Sequence, residues 1–350
     1  MTTYIFKTAA FSLETREFSD IQEYIDGFFS LVPEGVNISK DNLSDVLSPR
    51  AFLGEIFSSL SGSTPKIISF LCFLLASVVV TYLASPQGLL AKGSSASTIS
   101  LILSIPILEV LAEMAISLID SLREIVLFFS SVIPIVSLID LASGAPTASK
   151  TQAVQMTLMS ALINHLSIDI LAPIAVAMLA FGATASLEGG FSSSLLASAK
   201  SVFTKILAFI TATVGILFSL QSVIATAADS AAIRLAKFSA QSMLPQIGGL
   251  VSSSLSALGA GLSYAKGIIG AGAIYVILVI FLSPLPVILA YRICLSLAES
   301  FARGLGVSSA AASLSGFLCA LDSLLSIYTL STLLSILELL LFIRNAVPIV

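Results

Sequence analysis

Charged residues that could line a polar passage cluster in one part of the chain. Asp229, Arg234 and Lys237 lie between two long apolar runs, and Lys266 follows a tract rich in Ser, Ala and Gly. At 100° per residue, the first three residues fall within an arc of about 140° on a helix. Charges inside a membrane usually face a bundle interior or water. These four residues are therefore candidates for lining or gating a conduit. The alternative for Arg234 and Lys237 is that they are cytoplasmic anchors that follow the charge bias of membrane proteins.

The backbone after these charges is predicted to bend. Pro245 removes a backbone donor, and Gly248 belongs to a glycine pair that tolerates unusual φ values. Irregular backbone at membrane depth is tolerated only where it is buried in protein or lines a wet cavity. The pattern predicts a broken or re-entrant helical hairpin. Small residues spaced by four then predict close approach of another helix, and they are Gly259, Ser263, Gly267 and Ala271.

Two other pairs of ionisable residues are spaced by four and so share a helix face. Glu109 and Glu113 form one pair, and His165 and Asp169 form the other. One interpretation is a proton or cation path, since His titrates near neutral pH. The alternative for the glutamates is a hydrated or interfacial helix. For His165 it is a helix break or hydrated kink in which Asp169 satisfies the ring.

Composition places these residues in a membrane protein. Hydrophobic residues make up 57% of the 350 residues and charged residues only 10%, whereas soluble domains are about a quarter charged. Nine of the twenty acidic residues precede Phe57. We therefore predict a small acidic, helical, water-exposed region over residues 1–60 and a helical membrane domain over 61–350, with a central segment at 221–289. The acidic region makes nucleic acid an unsuitable partner.

Apolar runs predict an all-α polytopic fold with about seven transmembrane helices, and six to eight in range. Asp322 is predicted to divide the last apolar stretch, and Glu338 to snorkel toward the nearer membrane surface. Pro284 and Pro286 are predicted to kink the end of the sixth span. The predicted spans are 67–84, 99–118, 125–141, 153–185, 206–226, 268–290 and 323–343.

The central segment resembles the most characteristic region of the stage III sporulation protein AE family, membrane proteins of endospore-forming bacteria. The resemblance is close from 217 to 289 and is carried by Gln221, Ala228, Asp229, Arg234, Ala236, Lys237, Phe238, Pro245, Gly248, Lys266 and Gly270. It implies an integral-membrane component of the channel complex that links mother cell and forespore. Implied partners are other stage III sporulation proteins, including a cytosolic ATPase and ring-forming membrane components. It also implies the mother-cell membrane around the forespore, with the N-terminal region extracytoplasmic.

Sequence motifs for catalysis are not found in the chain. It has no P-loop, no HExxH and no plausible GxSxG elbow, and its three cysteines lack CxxC spacing. We expect no enzyme activity, cofactor or metal. Three functions stay open at this point: a conduit subunit, a non-conducting assembly scaffold, and an independent proton-coupled transporter that uses the two spaced pairs. A homo-oligomer is compatible with each.

Overall fold

The computed structural model describes residues 23, 25–33, 36, 49–85, 95–142, 146–185, 194–212 and 248–344, and every regular element in these ranges is helical. The all-α prediction is therefore confirmed. The helices are α1 (Pro49–Ala84), α2 (Ser95–Ala142), α3 (Pro146–Leu162), a π-helical segment (Ile163–Leu171), α4 (Ala172–Thr184), α5 (Ser194–Ala212), α6 (Gly248–Leu282), α7 (Leu285–Gly304) and α8 (Ser308–Arg344).

Six helical stretches among the described residues are long and apolar enough to cross a membrane, as the predicted polytopic fold requires. Six lies within the predicted range of six to eight. The stretches are Ile56–Ala84, Ser97–Ile139, Ala153–Thr184, Ser194–Ala212, Tyr264–Gly304 and Ser308–Ile343.

Two predicted interruptions do not occur. The spans at 99–118 and 125–141 belong to one continuous helix, α2, in which Asp120 accepts a hydrogen bond at 3.0 Å from Nη1 of Arg123. Asp322 does not divide the last stretch either, because α8 is continuous from Ser308 to Arg344. Its carboxylate accepts hydrogen bonds from Nε of Arg292 at 2.5 Å and from Nη2 at 3.3 Å. Each charge thus has a partner beside or within the helix, so neither ends it.

The last helix, α8, lies at the centre of the described bundle. It packs against α2, α4, α6 and α7. It forms an antiparallel hairpin with α7 through a turn at Gly306, whose φ of 74° favours glycine. Gly316 of α8 crosses Gly182 of α4 so closely that a Cβ added to Gly182 would lie 2.8 Å from the carbonyl carbon of Gly316. The two backbones are in direct contact there.

The contact between α6 and α8 uses a different small residue from the one predicted. A Cβ added to Gly270 would meet the side chain of Ile343, whereas a Cβ added to Gly267 would meet nothing within 4 Å. Among the described residues, the face of α6 that meets α8 passes through Gly270 and not Gly267, so the predicted stripe of small residues does not carry this contact. The predicted kink is confirmed, since α6 ends at Leu282 and α7 begins at Leu285.

Part of the acidic N-terminal region contacts the bundle. Ile25 and Phe28 are buried, and the ring of Phe28 meets the ring of Phe128 edge-on with 6.4 Å between centroids. A short helical segment at 25–29 therefore covers part of α2.

Candidate functional site: a buried polar seam

The structure describes only part of the segment that the sequence singles out. Asp229, Arg234, Lys237 and Pro245 lie outside the described residues, and so does the predicted break at Pro245. Gly248 is the first residue of α6. Of the predicted conduit side chains, Lys266 is the one that the described part of the chain places.

Lys266 lies inside the bundle, between α6 and α8. Only 2% of the residue is exposed. Its Nζ lies 5.3 Å from the ring centroid of Phe342, which is buried on α8. This is the distance of a cation–π contact, which is strengthened where water is excluded. The long aliphatic stem of Lys266 packs in the interface, and its ammonium group is a cation within the apolar bundle.

Glu338 lies on α8 one helical turn before Phe342 and is fully buried. Its Oε2 accepts a hydrogen bond at 2.8 Å from Nε2 of Gln155 on α3. The prediction that Glu338 snorkels toward the membrane surface is therefore wrong. A carboxyl in an apolar environment needs a hydrogen-bond donor, and α3 supplies one inside the bundle.

The row of polar groups continues along α8. Ser331 donates to the hydroxyl of Ser167 in the π-helical segment at 2.9 Å, and Ser335 donates to the carbonyl oxygen of Ser331 at 3.0 Å. Ser331, Ser335 and Glu338 follow a spacing of four and three, so they share one face of α8. We call the following residues the polar seam: Gln155, Ser167, Lys266, Ser331, Ser335 and Glu338. All six are buried.

Polar side chains lie on both sides of the π-helical segment (Ile163–Leu171). Ser167 points into the seam, whereas His165 and Asp169 are on the exposed side, with 73% and 55% of their side chains accessible. The predicted contact between them is confirmed, because His165 Nδ1 and Asp169 Oδ2 are 2.9 Å apart. π-Bulges often occur at functional sites. The pair lies on the outer surface and does not join the polar seam.

The second predicted pair also lies outside the seam. Glu109 and Glu113 are both exposed on α2, so neither carboxylate is buried inside the described bundle. Glu113 lines a cavity of about 520 Å³ together with Lys66 and Tyr291. Both interpretations of this pair stay predictions.

Sequence reasoning missed the role of Gln155 and the inward direction of Glu338. The signal for Glu338 was present, since it is an acidic residue within a long apolar run. Gln155 carried no signal, because its partner is 183 positions away. Within the described ranges, no group of three or more His, Cys, Asp or Glu side chains could hold a metal ion.

The seam provides two ionisable groups and four neutral hydrogen-bonding groups in the bundle interior. The carboxyl of Glu338 has an amide donor beside it, and Lys266 adds a basic side chain to the same buried interior. Ionisable residues in this position often mark proton or ion paths in membrane proteins. The geometry is that of a layer of polar side chains inside the described bundle.

Comparison with known proteins identifies the family. The family model described as stage III sporulation protein AE matches residues 50–346. No curated protein and no solved structure gives a significant match. The matched region contains α2 to α8, all of α1 except Pro49, the six residues of the polar seam and the central segment that carries the resemblance. The chain therefore belongs to the stage III sporulation protein AE family.

Proposed function

We propose that this protein is the integral-membrane core of a channel complex between mother cell and forespore, and that its polar seam forms part of the path across the membrane. The observation that carries this proposal is the hydrogen bond between Gln155 and the fully buried Glu338. Ionisable groups inside membrane bundles are costly and usually functional. The proposed role is non-enzymatic.

The place of the seam supports a role in transport. Its six residues come from four helical elements, namely α3, the π-helical segment, α6 and α8. A small movement of one of these helices would therefore open a gap beside the buried polar side chains. Residues 331–338 of α8 cover about 10 Å along the helix axis, roughly a third of the ~30 Å hydrocarbon core. The seam would therefore supply one section of a longer path, and the segment with Asp229, Arg234 and Lys237 is our candidate for another.

The proposed assembly follows from the family. We place the protein in the mother-cell membrane that surrounds the forespore, with its N-terminal region outside the cytoplasm. Its partners would be other stage III sporulation proteins, among them a cytosolic ATPase and ring-forming membrane components, and further copies of itself. The ATPase would supply energy for transport, because the chain carries no P-loop.

A second candidate function is a scaffold that docks partners without conducting. The observation that favours it is the direct backbone contact between Gly182 and Gly316. Close helix crossings of this type hold membrane bundles rigidly together. A rigid bundle suits a platform on which ring components assemble.

Glu338→Gln separates the two functions. The amide keeps an oxygen that can accept the hydrogen bond from Gln155, but it cannot carry a negative charge or exchange a proton as a carboxyl does. We expect the variant to fold and to co-purify with the complex, and to lose most transport of a small reporter into the forespore. Glu109→Gln is the matched control, because it makes the same change on the exposed side of α2.

The two readouts give distinct answers. Loss of transport in Glu338→Gln with normal complex assembly, and normal transport in Glu109→Gln, supports the conduit. Full transport in Glu338→Gln with normal assembly removes the seam from the transport path and favours the scaffold. Lys266→Met tests the cation in the same way, since methionine keeps the apolar stem but lacks the charge.

A further inference from the structure

A charged groove lies beside the N-terminal half of α8, whereas the polar seam uses its C-terminal half. It has a volume of about 720 Å³ and is bounded by α5, α7 and α8, beside the turn between α7 and α8. Five charged side chains line it, and together they define the charged groove: Lys200, Arg292, Glu299, Arg303 and Asp322. Three are cationic and two are anionic, so the groove carries a net positive charge.

Each of the two carboxylates contacts only one edge of the guanidinium group of its arginine. Asp322 contacts Nε and Nη2 of Arg292, and Glu299 contacts Nε and Nη2 of Arg303 at 3.0 and 2.5 Å. A guanidinium group has five N–H donors, so each arginine keeps further donors while its orientation is fixed. Lys200 makes no ion pair with a described carboxylate. Fixed guanidinium groups beside an ammonium group are suited to binding phosphate oxygens.

The surroundings of the groove are apolar. On α7, large side chains at a spacing of four face outward, and they are Leu289, Ile293, Leu297 and Phe301. On α5, Leu195 and Val202 are also exposed, and Leu196 and Leu318 line the groove itself. Lipid chains can therefore lie against the two helices on either side of the charges.

The depth of the two arginines along α7 also fits a ligand that carries a phosphate group. Arg303 is next to the end of α7, and Arg292 lies about 16 Å deeper, from eleven residues at 1.5 Å each. The side chains of Arg292 and Asp322 are 42% and 39% exposed. Partly exposed charges at this depth are costly against acyl chains alone. A polar group that enters the groove from the helix end would solvate them.

We infer that the charged groove binds the phosphate headgroup of an anionic phospholipid, with the acyl chains along the apolar faces of α5 and α7. Because Arg292 and Arg303 lie about 16 Å apart along α7, the headgroup phosphate contacts Lys200 and the free edge of one of these two arginines. Basic pockets between membrane helices are known sites for anionic headgroups. This site is separate from the polar seam and does not depend on the conduit proposal.

The test measures lipid binding to the purified full-length protein after delipidation. Phosphatidylglycerol is the anionic probe, phosphatidylcholine the zwitterionic one, and glycerol 1-phosphate the soluble phosphoester. We expect preferential binding of phosphatidylglycerol. Lys200→Gln should weaken it about fivefold, as one cation near a membrane surface contributes. Lys205→Gln is the matched control, because Lys205 is exposed on the same helix but does not line the groove.

A third variant tests the sign of the interaction. Glu299→Gln removes a negative charge from the groove and keeps an oxygen that can accept from Arg303, so phosphatidylglycerol should bind equally well or more tightly, and weaker binding overturns the inference. Equal affinity for both lipids overturns the inference, and so does an equal loss in Lys200→Gln and Lys205→Gln. Displacement of phosphatidylglycerol by glycerol 1-phosphate at the same concentration would overturn the lipid assignment in favour of a soluble phosphoester. Circular dichroism and gel filtration confirm that each variant is folded.

Discussion

The hydroxyl of Tyr328 donates a hydrogen bond to the carbonyl oxygen of Ile280 at 3.0 Å. In a continuous helix that carbonyl would accept from the residue four positions later, which is Pro284 and has no N–H. Tyr328 is fully buried on α8 and also lies 3.2 Å from the carbonyl oxygen of Phe281. A side chain of α8 therefore satisfies the backbone acceptor that the break between α6 and α7 leaves open.

Tyr328→Phe is expected to destabilise the protein by about 1 kcal/mol, because it removes this hydrogen bond and keeps the ring. The stacking of the ring on Phe281, with centroids 5.1 Å apart, should persist. Thermal unfolding in detergent measures the change. Tyr264→Phe is the matched control, since Tyr264 is 62% exposed, and it should have little effect. Equal stability of the two variants would contradict the role of Tyr328.

Gly316→Ala is expected to destabilise the bundle by several kcal/mol, roughly the cost of strong overpacking. The new Cβ would collide with backbone atoms of Gly182, and a backbone cannot move aside as a flexible side chain can. Gly267→Ala is the control, because a Cβ there meets nothing within 4 Å, and helix propensity should even favour it. A Gly316→Ala variant as stable as wild type would show that α4 and α8 are farther apart than described.

Gln155→Leu is expected to cost about 1–3 kcal/mol, because a buried acceptor on Glu338 loses the donor on α3. The double variant Gln155→Leu with Glu338→Leu should recover part of this loss, since two apolar side chains need no hydrogen bond. A double-mutant cycle in denaturant gives the coupling energy. Additive effects of the two single changes would mean that the side chains do not interact.

Arg292 and Asp322 are expected to couple by about 1 kcal/mol, near the upper end for exposed pairs, because their geometry is bidentate. The pair of Glu299 and Arg303 is the comparison. It lies four residues apart on one helix, where pairs contribute about 0.3–0.5 kcal/mol. Alanine double-mutant cycles on both pairs, in low and high salt, show which pair has the larger coupling energy. A stronger coupling for Glu299 and Arg303 would contradict the prediction.

The features that the sequence predicted correctly depend on composition or on neighbours along the chain. A low charge content predicted a helical membrane protein. A spacing of four predicted the contact between His165 and Asp169, and the missing donor of Pro284 predicted the end of α6. Each of these consequences follows from residues within one or two helical turns, where helix geometry is fixed in advance.

Tertiary structure alone decided the direction of the buried charges. Asp322 does not end a helix because Arg292, 30 positions away, neutralises it. Glu338 faces the interior because Gln155, 183 positions away, provides a donor there. From the local sequence, a carboxyl in an apolar run is energetically unfavourable. That sequence does not show which distant helix will pack beside the carboxyl. The free energy of a buried polar group depends on its partner, and only the packing of the helices supplies that partner.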